Sequence, residues 1–263
     1  MEKVLVTGAY GFLGKYGIRE LLDNGYGVIS FGRKKQELNK LRQENVEICI
    51  GDLRVRNDVV NAEKNADYVI HAGTLSTVWG KREDFIKTNV LYACKKYKIK
   101  RLVYVSSPSI YSGRADRINI DENDFDRNNK PNYYIESKIM AERVICRTKD
   151  IPFVIIRPRG LFGIGDTSII PRLINSNRKM GIPLFNNVRN IVDINCVENV
   201  ALALRLALES PAAVGNTYNI CTLGYSQTLN IEKTKRNLKY IPKLTLSEGI
   251  KKYAEDHKRN KVL

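Results

Sequence analysis

Tyr134 and Lys138 stand four residues apart in Tyr134-Ile135-Glu136-Ser137-Lys138, a spacing that on a helix puts a phenol and an ammonium on one face about a turn apart. A phenol is a poor acid near neutrality, but a fixed positive charge beside it favours the phenolate. The pair can therefore move a proton at a carbonyl or carbinol. Alone, the spacing describes a solvated helix face equally well, so its company decides. That company is Val105-Ser106-Ser107-Pro108-Ser109-Ile110-Tyr111, a buried-type strand ending in hydroxyls. At the carboxyl edge of a sheet such a hydroxyl can hydrogen-bond a substrate oxygen and steady its developing charge. The plainer reading is that the serines close a strand and cap a turn.

A second constellation opens the chain. Val4-Leu5-Val6 runs into Thr7-Gly8-Ala9-Tyr10-Gly11-Phe12-Leu13-Gly14, and a helix-like stretch follows to near Asp23. A strand that feeds a glycine turn opening a helix presents unpaired N–H groups and a positive dipole end, where a pyrophosphate can sit. Gly8 permits the tight turn, Gly11 lets backbone approach phosphate, and Gly14 lets helix and strand pack closely. These features predict dinucleotide binding. After the second strand, Phe31-Gly32-Arg33-Lys34-Lys35 offers no acid for a ribose 2′-hydroxyl, whereas Arg33 can meet a 2′-phosphate. NADP is favoured over NAD, against the alternative that Arg33 to Lys35 are surface charge at a helix start.

The elements that must position these groups follow from periodicity. Apolar runs at Val28 to Phe31, Val46 to Ile50, Tyr68 to His71, Leu102 to Ser106 and Phe153 to Arg157 alternate with stretches of helical period. Such βα alternation predicts an α/β fold, a doubly wound parallel sheet whose ligands gather at the carboxyl ends of the strands. Helix breaks are expected at Asn24-Gly25 and Pro131-Asn132, and Thr245-Leu246-Ser247-Glu248 has capping-box spacing for a last helix. From about Arg157 the pattern loosens, with helical stretches near Ser168 to Arg178 and Val197 to Leu208 and a strand near Tyr218 to Cys221. The division expected is a nucleotide domain over 1–157 and a smaller substrate lobe over 158–263, interleaved with the last strands and helices of the first.

Composition narrows the class. The formal charge of +16 attracts anions of any kind, but much of it is lysine on solvated helix faces, and no aromatic-interleaved nucleic-acid motif accompanies it. No apolar run is long enough to span a membrane and no signal pattern precedes the first strand, so a cytoplasmic protein without membrane or nucleic-acid partners is expected. Cys49, Cys94, Cys146, Cys196 and Cys221 lack metal or disulfide spacing and read as reduced, mostly buried thiols. With only His71 and His257 available, no metal centre is expected.

The glycine turn, Gly51-Asp52-Leu53 after the third strand, His71-Ala72-Gly73 after the fourth, Ser106-Ser107 after the fifth and Tyr134-x-x-x-Lys138 together resemble the extended short-chain dehydrogenase/reductase family of the NAD-dependent epimerase/dehydratase superfamily. Arg157-Pro158-Arg159-Gly160-Leu161-Phe162-Gly163 and the stretch from Val192 to Val200 are similar to its later motifs. The segment Leu102 to Tyr111 is most similar to the 3β-hydroxysteroid dehydrogenase-like and 3-oxoalkanoate reductase-like branch, with sugar-nucleotide epimerases next. The resemblance implies a Rossmann sheet and makes Tyr134 the catalytic acid/base. Lys138 would bind the nicotinamide ribose and lower the tyrosine's pKa, and Ser107 would polarise the substrate, with Ser106 its competitor. Gly8, Tyr10, Gly11, Phe12, Leu13, Gly14, Arg33, Asp52, Leu53, His71, Ala72, Gly73 and Asn89 would line the cofactor, Asp52 and Leu53 beside adenine.

Two departures accompany the resemblance. The stretch from Asn89 to Ser107 is about two helical turns shorter than the family's, which bears on the placement of Asn89 and on the homodimer that the family's helix often builds. The chain after Asn219-Ile220-Cys221-Thr222 reaches Ser226 to Lys233 without several usual elements, so the substrate lobe reads as abridged. The function implied is interconversion of hydroxyl and ketone on a hydrophobic small molecule, steroid-like or 3-oxoacyl-like, with NADP or NAD. The alternatives are a nucleotide-sugar epimerase or dehydratase, and an NADP(H)-binding protein that no longer catalyses.

Overall fold

A computed structural model describes residues 1–73, 89–112, 117–126, 128, 132–181, 193–221 and 229–259. Seven parallel strands form the main sheet: β1 (Lys3–Thr7), β2 (Gly27–Gly32), β3 (Val46–Ile50), β4 (Tyr68–His71), β5 (Arg101–Val105), β6 (Phe153–Pro158) and β9 (Asn216–Ile220). Their order is β3-β2-β1-β4-β5-β6-β9. The order reverses direction beside β1, at the boundary of β1 and β4, and in open α/β sheets ligands gather outside the strand ends at such a reversal. A short parallel pair, β7 (Gly160–Phe162) and β8 (Ile194–Cys196), stands apart from the main sheet.

The two faces of the sheet bury alternate residues, as the period of two requires. Val4, Val6, Val103, Val105, Val154 and Ile156 face one layer, which holds α1 (Phe12–Leu22) and α7 (Val197–Glu209). Leu5, Ile29, Phe31, Val69, Leu102, Tyr104 and Ile155 face the other, with α3 (Arg56–Glu63), α4 (Asn89–Lys96) and the end of α5 (Tyr133–Arg147). Each wholly buried aliphatic side chain contributes about 1.5–3 kcal/mol. Between β2 and β3 lies α2 (Lys35–Asn39), and α6 (Ile169–Met180), α8 (Glu232–Leu238) and α9 (Leu246–Arg259) complete the described helices.

Local chemistry sets the boundaries. Gly25 takes φ +80 just after α1 ends, as the Asn24-Gly25 break predicts. The capping box at α9 forms: Glu248 Oε2 accepts from Thr245 N at 2.7 Å and Thr245 Oγ1 accepts from Glu248 N at 3.3 Å. Asp166 anchors the start of α6, its carboxylate accepting from the backbone N–H of Ser168, Ile169 and Ile170. Cys94, Cys196 and Cys221 are buried and Cys146 is exposed. Among the described residues no helix is long and apolar enough to cross a membrane. Readings that rest on Thr88, Pro131, Val192 and Thr222 to Thr228 lie outside the described residues.

One buried carboxyl stands out in the α3–α4 layer. Glu63 is fully buried, its carboxyl oxygens meet no N–H or O–H group among the described residues, and the Cys94 thiol lies beside it. Desolvation pushes its carboxyl up to about 8, against a smaller opposing hydrogen bond from Cys94. Between about pH 4.5 and 8 the folded chain therefore holds a proton that the unfolded chain has released, so this group makes stability fall as pH rises through that window. Glu63→Gln should melt close to wild type at about pH 5 and above it at about pH 8.5. A melting difference that does not change with pH would rule out a buried protonated carboxyl there.

Candidate functional site

The glycine turn is built by backbone proximity. Gly8 takes φ +72, and a Cβ placed on it would come within 2.8 Å of Gly73 N and Cα and 3.0 Å of the Ala72 carbonyl carbon. Gly11 N donates to Gly8 O at 2.9 Å and starts α1. A Cβ on Gly14 would lie 2.2 Å from Gly8 O and 2.7 Å from Ala9 O. The start of α1 has no side-chain cap and no acidic residue in its first turn. Its amide N–H groups and dipole are thus left for an external anion, and the turn fits a pyrophosphate. Leu13 is buried in the core, and the half-buried Phe12 ring packs edge-on to Tyr16 at 5.6 Å.

The walls of this cradle are stitched together by few bonds. Thr7 Oγ1 lies 2.7 Å from His71 Nδ1 and accepts from Gly73 N at 3.1 Å, tying the end of β1 to the end of β4. Burial, and then the Lys138 charge, bring His71 down to about 3, so its ring is neutral. Tyr10 lies against Gly32 at the end of β2, where a Cβ would come 2.6 Å from its ring. Arg33, half exposed, follows, 4.0 Å from Asp52. Asp52 is held by Arg54 through Nε at 3.0 Å and Nη2 at 2.6 Å, and these hydrogen bonds keep its carboxyl below the usual range. Leu53 Cδ1 touches the Gly73 position, and Leu53 O accepts from Asn89 Nδ2 at 2.8 Å, fixing the first residue of α4 to the loop after β3.

The Tyr134 and Lys138 pair lies in the first turns of α5, which Asn132 caps by accepting from Ile135 N at 3.0 Å. Lys138 is buried and its Nζ donates to Val105 O at 2.8 Å, which locks the helix to the end of β5. The same ammonium lies 5.0 Å from the Tyr104 ring centre and 5.9 Å from that of Tyr134. Desolvation brings its pKa down to about 8, and the Glu142 carboxylate opposes the fall. Ser107, two residues beyond Val105, caps the 3₁₀ turn at Pro108–Tyr111: its Oγ accepts from Ser109 N at 3.2 Å and donates to Ser109 Oγ at 3.0 Å. The capping reading of this serine is thus what the geometry displays, with Ser109 sharing the hydroxyl. Ser106 is buried, and its Oγ has no hydrogen-bond partner among the described residues.

Below the pair lies a buried polar network that sequence reading missed. Arg157 of β6 grips Glu142 of α5 with Nε to Oε1 at 3.0 Å and Nη2 to Oε2 at 2.6 Å. Its Nη1 donates to the Tyr111 hydroxyl at 2.5 Å and to Glu122 O at 2.6 Å. Tyr111 donates to Asn219 Oδ1 at 2.6 Å, and Asn219 N donates to Glu122 Oε1 at 2.9 Å. One signal was available, since Glu142 lies four residues beyond Lys138, on the same helix face. Arg157 opened the motif-like stretch to Gly163, which marked the residue but not its partner.

A protein-family model described as the NAD dependent epimerase/dehydratase family matches residues 4–221. The chain is 32% identical over 233 residues to the 2-alkyl-3-oxoalkanoate reductase of Stenotrophomonas maltophilia, with 83% of this chain and 70% of that protein covered. It is 32% identical over 220 residues to the decarboxylating sterol-4-alpha-carboxylate 3-dehydrogenase of Mus musculus, with 79% and 59% covered. Among solved structures it is similar in fold to an epimerase from Methanothermobacter thermautotrophicus, with a TM-score of 0.85, 19% identity and 98% and 93% covered. It is likewise similar to a UDP-glucuronic acid 4-epimerase from Bacillus cereus in complex with NAD, with a TM-score of 0.82, 21% identity and 98% and 99% covered. The chain thus spans 59% to 70% of the length of these two curated relatives.

The turn leaves no room for a methyl group at Gly14. Gly14→Ala should destabilise the fold by about 1–3 kcal/mol through overpacking and abolish the rise in melting temperature expected of the wild type with a nicotinamide dinucleotide. A variant that melts and responds as the wild type does would mean that helix and turn are not held at this distance.

Proposed function

The chain belongs to the NAD dependent epimerase/dehydratase family, and we propose that within it this protein is a nicotinamide-dependent oxidoreductase interconverting a hydroxyl and a ketone at Tyr134, Lys138 and Ser107. The observation that carries the reading is the buried Lys138 ammonium, tied to Val105 O and lying 5.9 Å from the Tyr134 ring, at the strand end where the nucleotide cradle opens. The nicotinamide, when bound, supplies or accepts the hydride. In the reductive direction Tyr134 gives its proton to the carbonyl oxygen, and Lys138 offsets the negative charge left on the phenol oxygen. The hydroxyls of Ser107 and Ser109 hold the reacting oxygen, and the first-turn amides of α1 hold the pyrophosphate.

The substrate class follows from chemistry shared by the names of two relatives. In a 2-alkyl-3-oxoalkanoate and in a sterol-4-carboxylate oxidised at C3, the reacting carbon is next to a carbon bearing both a carboxylate and a hydrocarbon substituent. The substrate proposed here is a hydrophobic 3-oxo or 3-hydroxy acid of this kind. NADP is the proposed cofactor, because β2 ends at Gly32 without an acid and Arg33, the next residue, stands exposed.

Two measurements test these statements. With NADPH and a panel of 2-substituted 3-oxo acids, Tyr134→Phe should lose on the order of 10²- to 10⁴-fold in turnover while its NADPH dissociation constant stays as in the wild type. Equal turnover in both would remove the assignment, and tight cofactor binding without turnover in the wild type would favour a non-catalytic binding protein. Arg33→Ala should raise the NADPH dissociation constant about tenfold or more, the worth of hydrogen bonds to a charged group, and leave that of NADH unchanged. An equal effect on both would reject the 2′-phosphate role.

A further inference from the structure

Lys138 occupies a costly position. Its ammonium is buried at 3% exposure and one of its three donors is accounted for by Val105 O. The groups facing it from the elements packed around it are His71 from β4, Tyr104 from β5, and Tyr134 and Glu142 from its own helix. His71 is neutral and the rings offer only their faces, so Glu142 is the one formal anion acting on it among the described residues. Glu142 lies one helical turn further along, as buried as Lys138, and cannot turn away. Both its oxygens are clamped by the Arg157 fork, and Arg157 is itself fixed by Tyr111 and by Glu122 O.

We propose that Glu142, held in place by Arg157, is the counter-charge that keeps the Lys138 ammonium in position beneath Tyr134, and that it is therefore a positioning residue for proton transfer. The inference deepens the proposed function and rests on it for its link to turnover. Arg157 sets how far Glu142 can act. It keeps the carboxylate aligned on the Lys138 face of α5, while its own charge limits the negative potential that Lys138 feels. The arrangement joins β6, which carries no reacting group, to the helix that carries two.

Lysine labelled with ¹³C at Cε permits the test on the cofactor-free protein, with the Lys138 signal identified by its absence in Lys138→Met. In Glu142→Gln, which keeps an oxygen for Arg157, the Lys138 titration midpoint should fall on the order of one pH unit, the scale of a single near charge at a buried site. Glu142→Asp should stay near the wild type. Breaking one partner of a buried pair is destabilising, whereas neutralising both is often tolerated, so Glu142→Gln with Arg157→Gln serves if the single variant does not fold, and a smaller downward shift is expected because the opposing charge of Arg157 is lost as well. The alkaline limb of the turnover profile should move to lower pH with the midpoint. A folded Glu142→Gln or double variant whose Lys138 titrates as in the wild type would overturn the proposal. A shifted midpoint with an unmoved turnover profile would uphold the counter-charge and count instead against the assignment of the reaction to Tyr134.

Discussion

The buried pair of Arg157 and Glu142 constrains everything around the candidate site. Removing two such ions from water costs several kcal/mol each, which their attraction offsets only with good geometry and with the remaining donors and lone pairs satisfied. The fork of Arg157 meets both Glu142 oxygens, and its remaining reach is taken by Tyr111 and Glu122 O. Tyr111 then requires Asn219, and Asn219 requires Glu122 and, through its own carbonyl, Thr234. Satisfying one guanidinium thus fixes α5, β6, β9, α8 and the turn after β5 relative to one another. A partly satisfied version would cost more than an apolar core, so the network holds as a whole or fails as a whole.

The cofactor half of the site obeys a different constraint, the absence of side chains. Gly8, Gly14 and Gly73 sit where a single added carbon would strike backbone, at 2.8, 2.2 and 3.0 Å. Thr7 reinforces this closeness by bridging His71 and the Gly73 amide. The cradle offers amides and a helix dipole, which recognise phosphate wherever they are placed. In the proposed function, selectivity between cofactors falls to the side chains at the rim, Arg33 above all, where Asp52 and Arg54 already form a tight pair.

This difference explains what could be read from sequence. Steric rules act over a few residues, so the turn from Thr7 to Gly14 was legible, as were the strands from Val28, Val46, Tyr68, Leu102 and Phe153 and the capping box of Thr245 and Glu248. The spacing of Tyr134 and Lys138 was legible as one helix face, and Lys138 does meet Val105 O. The clamp on Glu142 was not, because Arg157 lies 15 residues from it in sequence, the other partners of Arg157, Tyr111 and Glu122, lie 46 and 35 residues from Arg157, and neither period nor propensity marks them. The serines were ambiguous for the same reason. Ser107 satisfies a local cap with Ser109, a bond compatible with either reading of the sequence.

The charge balance joins the two halves. The formal +16 of the chain draws a polyanionic cofactor from a distance, but long-range attraction cannot place a proton. Placement depends on Lys138, which burial drives toward the neutral form and Glu142 holds toward the charged one. Were the lysine solvated, its charge would be secure but screened, and it would act weakly on Tyr134. Were it buried without an anion, it would act strongly but often without its proton. Burial combined with a clamped carboxylate one turn away favours a charge that is both present and little screened, which is what the proposed role of Tyr134 as an acid requires of Lys138.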